Sequence, residues 1–190
     1  MVQDTKKYII KTARGLFSEY SYPGVSMNDI AQKLNITKAA LYYHFTGKAE
    51  IYKKVLDEVF GNISAHTAEA LSEKTDSEKL RVFIKNYLDF GLKEKNFTKA
   101  LMLKLSPTDP QIKKHTIKLR KQMTTSIQPL VASVIENKKM SCKIDSYLAT
   151  SMLTGMMDGL ILEYSFLNKR INTEKMSNQI IMMLFQKVEV

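Results

Sequence analysis

Apolar residues recur at three- and four-residue steps along almost the whole chain, which is the spacing that gathers them on one face of a helix. Between residues 5 and 20 the stripe is Ile9, Ile10, Ala13, Leu16, Phe17 and Tyr20. Pro23 and Gly24 end it. Ser26 with Asp29 is a capping-box pattern that opens a short helix over 27–34. Asn35 accepts the left-handed backbone of a tight turn, and Thr37 caps a third short helix to about residue 45. A fourth helix begins near Gly47 and Lys48, with Ile51, Val55, Leu56, Val59, Phe60 and Ile63 as its stripe. Thr75 with Glu78 opens a helix over about 77–94, and a short helix fits about 97–105. Ser106 to Pro110 is a break, and Asp109 then Pro110 reads as the cap and first turn of a long helix over about 110–137. Pro129 is expected to kink or split that helix. Ser141 is placed to cap a helix over about 143–167, and Thr173 one over about 174–187. No stretch has the two-residue alternation of a strand, so the pattern predicts an all-α fold of about nine helices.

Composition narrows the class. Of 190 residues only seven are glycine and four proline, which suits long uninterrupted elements. At 44% hydrophobic and 25% charged the chain reads as an ordinary soluble globular protein, long enough to bury a core. The single cysteine, Cys142, excludes an internal disulfide and a multi-cysteine metal site, and suits a reducing cytosol. No basic-apolar leader opens the chain. The longest apolar run, residues 180–185, is far short of a membrane span. A cytoplasmic protein without a membrane partner is therefore expected. The net charge of +10 admits nucleic acid, an anionic surface or an acidic partner, and does not choose among them.

The chemistry sits in the short helices. A bundle built only for packing has little reason to keep helices of two turns, whereas a helix-turn-helix needs one slim enough for a major groove. Ser26 to Lys48 reads SMNDIAQKLNITKAALYYHFTGK. Ile30, Ala31 and Leu34 form the inward stripe of the second helix, Ile36 plugs the turn, and Leu41 and Phe45 are the inward pair of the third. Thr37, Lys38, Ala39, Ala40, Tyr42 and Tyr43 are left partly outward. Small residues allow close approach to base edges, lysine donates to guanine or phosphate, and tyrosine and histidine donate to phosphates. Lys48 lies in the first turn of the fourth helix, whose free amides also favour an anion. Taken alone, Leu41 to Phe45 would read as an aromatic core stripe; its neighbours change that reading.

This segment resembles the DNA-binding domain of the tetracycline-repressor (TetR) family of bacterial regulators. Ile30-Ala31, Leu34, Ile36, the run Leu41-Tyr42-Tyr43-His44-Phe45 and Lys48 carry the resemblance, with Ala13, Leu16-Phe17, Tyr22 and Val25 upstream. It covers roughly residues 5–60. By position it implies that Lys38, Ala39 and Ala40 face base edges. It implies that Tyr42, Tyr43, His44 and Lys48 hold phosphates, with a base as a further contact for Tyr43, that Met27 and Asn28 lie near the flanking backbone or a neighbouring base, and that Thr37 caps the recognition helix beside a phosphate. Asn35 stands where the family commonly has glycine, and Gly47 where it commonly has a capping Ser, Asn or Asp. Two alanines at 39 and 40 leave few donors for base reading, so specificity leans on Lys38, apolar contacts and DNA shape.

The resemblance divides the chain into a helix-turn-helix DNA-binding domain at 1–48 and a ligand-binding and dimerisation domain at 49–190. The residues add their own weight. Seven Lys/Arg stand against three Asp/Glu in residues 1–48, so positive charge is densest there without being confined to it. The last two helices are too apolar to have one side in water, and a dimer interface of Leu153, Leu160, Ile161, Tyr164, Ile181, Leu184 and Phe185 would bury them; monomer core is the other reading. Candidate pocket residues are Phe83, Tyr87, Phe90, Met102, Met123, Ile127, Met152 and Met156, any of which also reads as plain core. Asp158 and Glu163 lie in an otherwise apolar helix, where a buried acid needs a partner: a cationic ligand, a lysine from a neighbouring helix, or water. Lys113, Lys114, Lys118, Arg120 and Lys121 line an anionic ligand's entrance, meet DNA, or form a solvated face.

No phosphate loop, metalloprotease motif or nucleophile elbow is present, so neither enzyme activity nor a cofactor is expected. The expected function is a homodimeric repressor that binds a pseudo-palindromic operator in double-stranded DNA and is released by a small molecule. The alternative is the same fold acting as an activator, or under a protein partner, without small-molecule induction.

Overall fold

The computed structural model describes residues 2–103, 109–137, 144–167 and 171–185. Among the described residues there are nine helices and no strand: α1 Val2–Tyr20, α2 Met27–Leu34, α3 Lys38–His44, α4 Lys48–Ala70, α5 Asp76–Lys93, α6 Lys95–Leu103, α7 Pro110–Asn137, α8 Ser146–Leu167 and α9 Thr173–Phe185. The expected all-α architecture is thus observed.

Local hydrogen bonding explains most boundaries. Ser26 and Asp29 form the expected capping box at α2, and Thr75 with Glu78 forms another at α5. Asn35 has φ 53° and ψ 43°, the left-handed pair that lets a helix end and the chain turn at once. Two other caps differ from expectation. Asp145 caps α8 by accepting from the Leu148 amide at 2.8 Å; Ser141, the expected cap, lies outside the described residues, as do Cys142 and the 106–108 break. At α9 Asn172 accepts from the Lys175 amide at 2.9 Å, and Thr173 is the first helical residue. Pro129 lies inside α7 without splitting it.

The chain forms two compact units. The first comprises Met1–Phe60 and Lys95–Leu119; the second comprises Gly61–Glu94 and Arg120–Val190. Helices α4 and α7 contribute residues to both. In the first unit α1 packs on α6 and α2, and α2 on α3. Its centre is aromatic: the Tyr52 ring meets Phe17 edge-on at 4.8 Å and lies 4.7 Å from Tyr22. In the second unit α5 packs on α8 and α9. Leu80, Phe83, Ile84 and Leu88 of α5 are fully buried with Leu153 and Met157 of α8. Gly91 lies on this α5 face: a β-carbon there would stand 2.3 Å from Ile161 Cδ1. Among the described residues no helix is long and apolar enough to cross a membrane.

Two of the dimer candidates are corrected. Leu153 and Ile161 are buried within the chain itself, in the α5–α8 packing, and are not available to a second copy. The reason is that α8 is apolar all round, so its pattern does not say which face turns inward. Leu160, Tyr164, Ile181 and Leu184 are not fully buried, and the Phe185 side chain lies outside the described residues.

Candidate nucleic-acid interface

Residues 26–48 build the site in the first unit. The α2 box fixes the first turn: the Ser26 amide donates to Asp29 Oδ2 at 2.8 Å and the Asp29 amide to Ser26 Oγ at 3.2 Å. These bonds hold the Asp29 carboxyl below its ordinary range, the Ser26 hydroxyl contributing most. At the turn the Ile36 amide donates to the Ala31 carbonyl at 3.1 Å. Thr37 Oγ1 then accepts from the Ala40 amide at 3.1 Å and starts α3. Leu41 and Phe45 are buried four residues apart and anchor α3 to the unit.

That anchoring decides what faces outward. Lys38, Ala39 and Ala40 are exposed at the start of α3, with Thr37 before them. Tyr43 is 81% exposed and Tyr42 47%, high for aromatic side chains in a helix of seven residues. The Lys38 ammonium lies 6.0 Å from the Tyr42 ring centroid. His44 is half-buried, stacked edge-on against Tyr43 at 5.2 Å. Its Nδ1 is buried with no partner among the described residues, so Nε2 is its available atom.

An open groove of about 500 Å³ runs beside α3. Ser26, Met27, Asn28, Asp29, Lys38, Tyr42 and Lys48 are among the residues that line it. Its lining holds two ammonium groups and one carboxylate, a balance of charge that a phosphate backbone can use. Lys48 is not free in solvent: its ammonium donates to the Tyr22 carbonyl at 2.9 Å. Burial lowers its pKa, while Asp109 and Asp29 pull the other way.

Of the expected DNA-facing residues, Met27, Asn28, Lys38, Tyr42 and Lys48 line this groove, while Thr37, Ala39, Ala40 and Tyr43 are exposed and His44 is half-buried. Met27 is the least exposed of them, at 7%: its side chain is mostly buried and only borders the groove. The first position of a short helix faces either way, and only packing decides. Tyr22 and the 23–25 turn belong to the site and were legible only as a helix exit. Gly24 is required in that turn, since a β-carbon would lie 2.3 Å from the Tyr20 carbonyl oxygen.

The model of the bacterial regulatory proteins of the tetR family matches residues 9–55. Over those residues the chain is a TetR-family sequence. The biofilm-operon negative transcriptional regulator IcaR of Staphylococcus epidermidis is 47% identical over 55 residues, which is 29% of this chain and 30% of that protein. The chain therefore spans about a third of the length of this curated relative. Over nearly the whole chain the likeness is one of fold. The TetR-family regulator PfmR of Thermus thermophilus superposes with a TM-score of 0.77 at 23% identity, covering 96% of this chain and 99% of that one. FadR of Bacillus subtilis, solved in complex with stearoyl-CoA, has a TM-score of 0.81 at 18% identity, covering 95% and 98%.

The other candidates lie elsewhere. Phe83, Tyr87, Met123 and Ile127 are buried in the second unit, where Phe90 and Met156 are half-buried. Met152 is 46% exposed and faces outward, not into an interior cavity, and Met102 belongs to the first unit. Asp158 has its partner: it accepts from the Tyr87 hydroxyl at 2.6 Å and pairs with Arg120 of α7. Burial, then the Asp158 charge, pushes the Tyr87 hydroxyl well above its ordinary pKa. Glu163, Lys113, Lys114, Lys118 and Lys121 are exposed. Among the described residues no group of three His, Cys, Asp or Glu could hold a metal ion.

Proposed function

We propose that the chain is a DNA-binding transcriptional repressor whose residues 1–48 contact an operator and whose residues 49–190 respond to a small molecule and dimerise. The observation that carries the DNA reading is the outward face of α3. Lys38, Ala39, Ala40, Tyr42 and Tyr43 are exposed together while Leu41 and Phe45 anchor the helix. Lys38 and the two alanines meet base edges in the major groove, and Tyr42, Tyr43, His44, Thr37 and Lys48 meet phosphates. Asn28, exposed on α2, lies toward the flanking backbone. The Staphylococcus epidermidis relative is a negative transcriptional regulator, which supports repression.

A second copy is the natural cover for an exposed stripe on α8. Leu148, Met152, Gly155, Gly159 and Phe166 are exposed at helical spacing, with Met182 and Met183 on α9. The two glycines allow a second helix to approach closely. A two-fold dimer would present two copies of α3 to an inverted repeat. The stearoyl-CoA in the Bacillus subtilis regulator supports a small-molecule response, with Phe83, Tyr87, Phe90, Met123, Ile127 and Met156 as wall residues.

The test is binding to the DNA upstream of the chain's own gene, at two salt concentrations and with excess random competitor. Protection of an inverted repeat that survives competitor is expected, lost in the Tyr42→Phe, Lys48→Ala double variant. Lys38→Ala should change discrimination at one or two positions by about 1–3 kcal/mol. Equal losses for Lys38→Ala on specific and random DNA would remove it from the base-reading set. Failure to bind any duplex, at any salt concentration, would refute the proposal.

A further inference from the structure

Lys48 is held by a chain of contacts that begins far away in sequence. Its ammonium donates to the Tyr22 carbonyl and lies 4.4 Å from the centroid of the Tyr22 ring. Tyr22 is itself fixed on two sides. Its ring packs against Tyr52 and Phe17, and its hydroxyl donates to Asp109 Oδ2 at 3.0 Å. The other oxygen of Asp109 accepts from the Gln111 amide at 2.9 Å and the Ile112 amide at 3.4 Å, capping α7. One carboxylate therefore performs two tasks, one with each oxygen.

The ring packing alone would be served by phenylalanine, so the hydroxyl has a separate purpose. Burial first, then the Asp109 bond, raises the Tyr22 hydroxyl to about 12, so it stays a donor across neutral pH. The bonds from Tyr22 and the α7 amides outweigh burial and hold Asp109 below its ordinary pKa, so it stays an acceptor. The pair is a charge-assisted hydrogen bond that persists wherever DNA would be bound. A lysine side chain otherwise loses considerable rotamer freedom on meeting a phosphate. Holding it beforehand removes part of that loss. We propose that Asp109 and Tyr22 are positioning residues for DNA binding, holding the Lys48 ammonium at the rim of the groove where a backbone phosphate meets it. This rests on the DNA-binding reading above.

The charge of Asp109 makes the proposal sharp, because simple electrostatics predicts the opposite. A carboxylate near Lys48 competes with phosphate, so removing it would strengthen DNA binding. Positioning predicts that removing it weakens binding. The experiment is fluorescence anisotropy of the full chain with a labelled mixed-sequence duplex over a potassium chloride series. Tyr22→Phe keeps the ring and the net charge. Asp109→Ser keeps a capping side chain and is too short to reach Tyr22. Both should weaken binding by about three- to tenfold, the range of one ordinary hydrogen bond. Neither should add to the loss already caused by Lys48→Ala, which should itself lower the salt slope by about 0.9. Thermal unfolding checks that each variant is folded; if Asp109→Ser is not, Tyr22→Phe carries the test alone. Tighter binding by Asp109→Ser, no change in Tyr22→Phe, or equal losses with and without Lys48 would each overturn the proposal while leaving DNA binding intact. No binding by the unaltered chain would overturn the DNA-binding reading itself, and the proposal with it.

Discussion

Alanine at Gly91 sets two opposed effects against each other, and the α5–α8 packing decides which prevails. Glycine in a helix interior is about 1 kcal/mol less favourable than alanine, so the substitution should stabilise an isolated α5. In the folded chain the new β-carbon would stand 2.3 Å from Ile161 Cδ1, 2.9 Å from Cγ1 and 3.2 Å from Cγ2. Three atoms of one β-branched side chain cannot all withdraw, because Ile161 is only 2% exposed. Overpacking of this kind costs about 1–3 kcal/mol. The net expectation is a chain about 1 kcal/mol less stable. In an Ile161→Ala background the clashing atoms are gone, and Gly91→Ala should become stabilising by about 1 kcal/mol. The coupling between the two positions is therefore about 2 kcal/mol. Urea unfolding at fixed protein concentration measures it, with constant m-values as the check on comparability. A higher midpoint for Gly91→Ala in the unaltered chain would refute the packing argument. So would the same change in both backgrounds.

Met152→Glu with Met183→Glu should yield a monomer by light scattering while helix content stays unchanged. An unaltered mass would remove the α8–α9 face from the proposed dimer. Asp158→Ala leaves the Tyr87 hydroxyl and Arg120 without their shared acceptor. It should cost about 2 kcal/mol, discounted because Arg120 is partly solvent-exposed, and adding Tyr87→Phe should restore part of that. Equal stability of the single and double variants would show that the buried hydroxyl is satisfied elsewhere. Tyr22 and Tyr52 both rise from 10.0 to about 12 in the fold. The folded chain then holds protons that the unfolded chain has released, so stability should fall as pH rises from about 10 to about 12. Carrying Tyr22→Phe and Tyr52→Phe together should flatten that fall; an unchanged slope would assign it to other groups.

Features set by neighbours three or four residues apart were legible from sequence. The Ser26–Asp29 and Thr75–Glu78 boxes, the Asn35 turn and the Thr37 cap each need only a short backbone bond and the right side chain. The outward set of α3 followed from Leu41 and Phe45, because a two-turn helix with two anchors has a single exposed face. The Asp145 and Asn172 caps show the limit. Several residues near a helix start can accept those amides, and the competition is settled by where the backbone enters the helix.

By itself, then, the sequence determined the helices, most of their punctuation and the outward residues of α3, since all rest on hydrogen bonds and periodicity within a few residues. Tertiary structure alone decided which side of α8 is core, why Met27 is mostly buried, and which groups share Asp158 and Asp109. Tyr22 and Asp109 stand 87 residues apart, and Arg120 and Asp158 stand 38 apart. No local pattern marks either pair. An apolar helix gains similarly from burying any face, so the choice falls to the complementarity of its neighbours. A half-buried carboxylate has no distant partner encoded beside it and takes whichever donor the packing delivers.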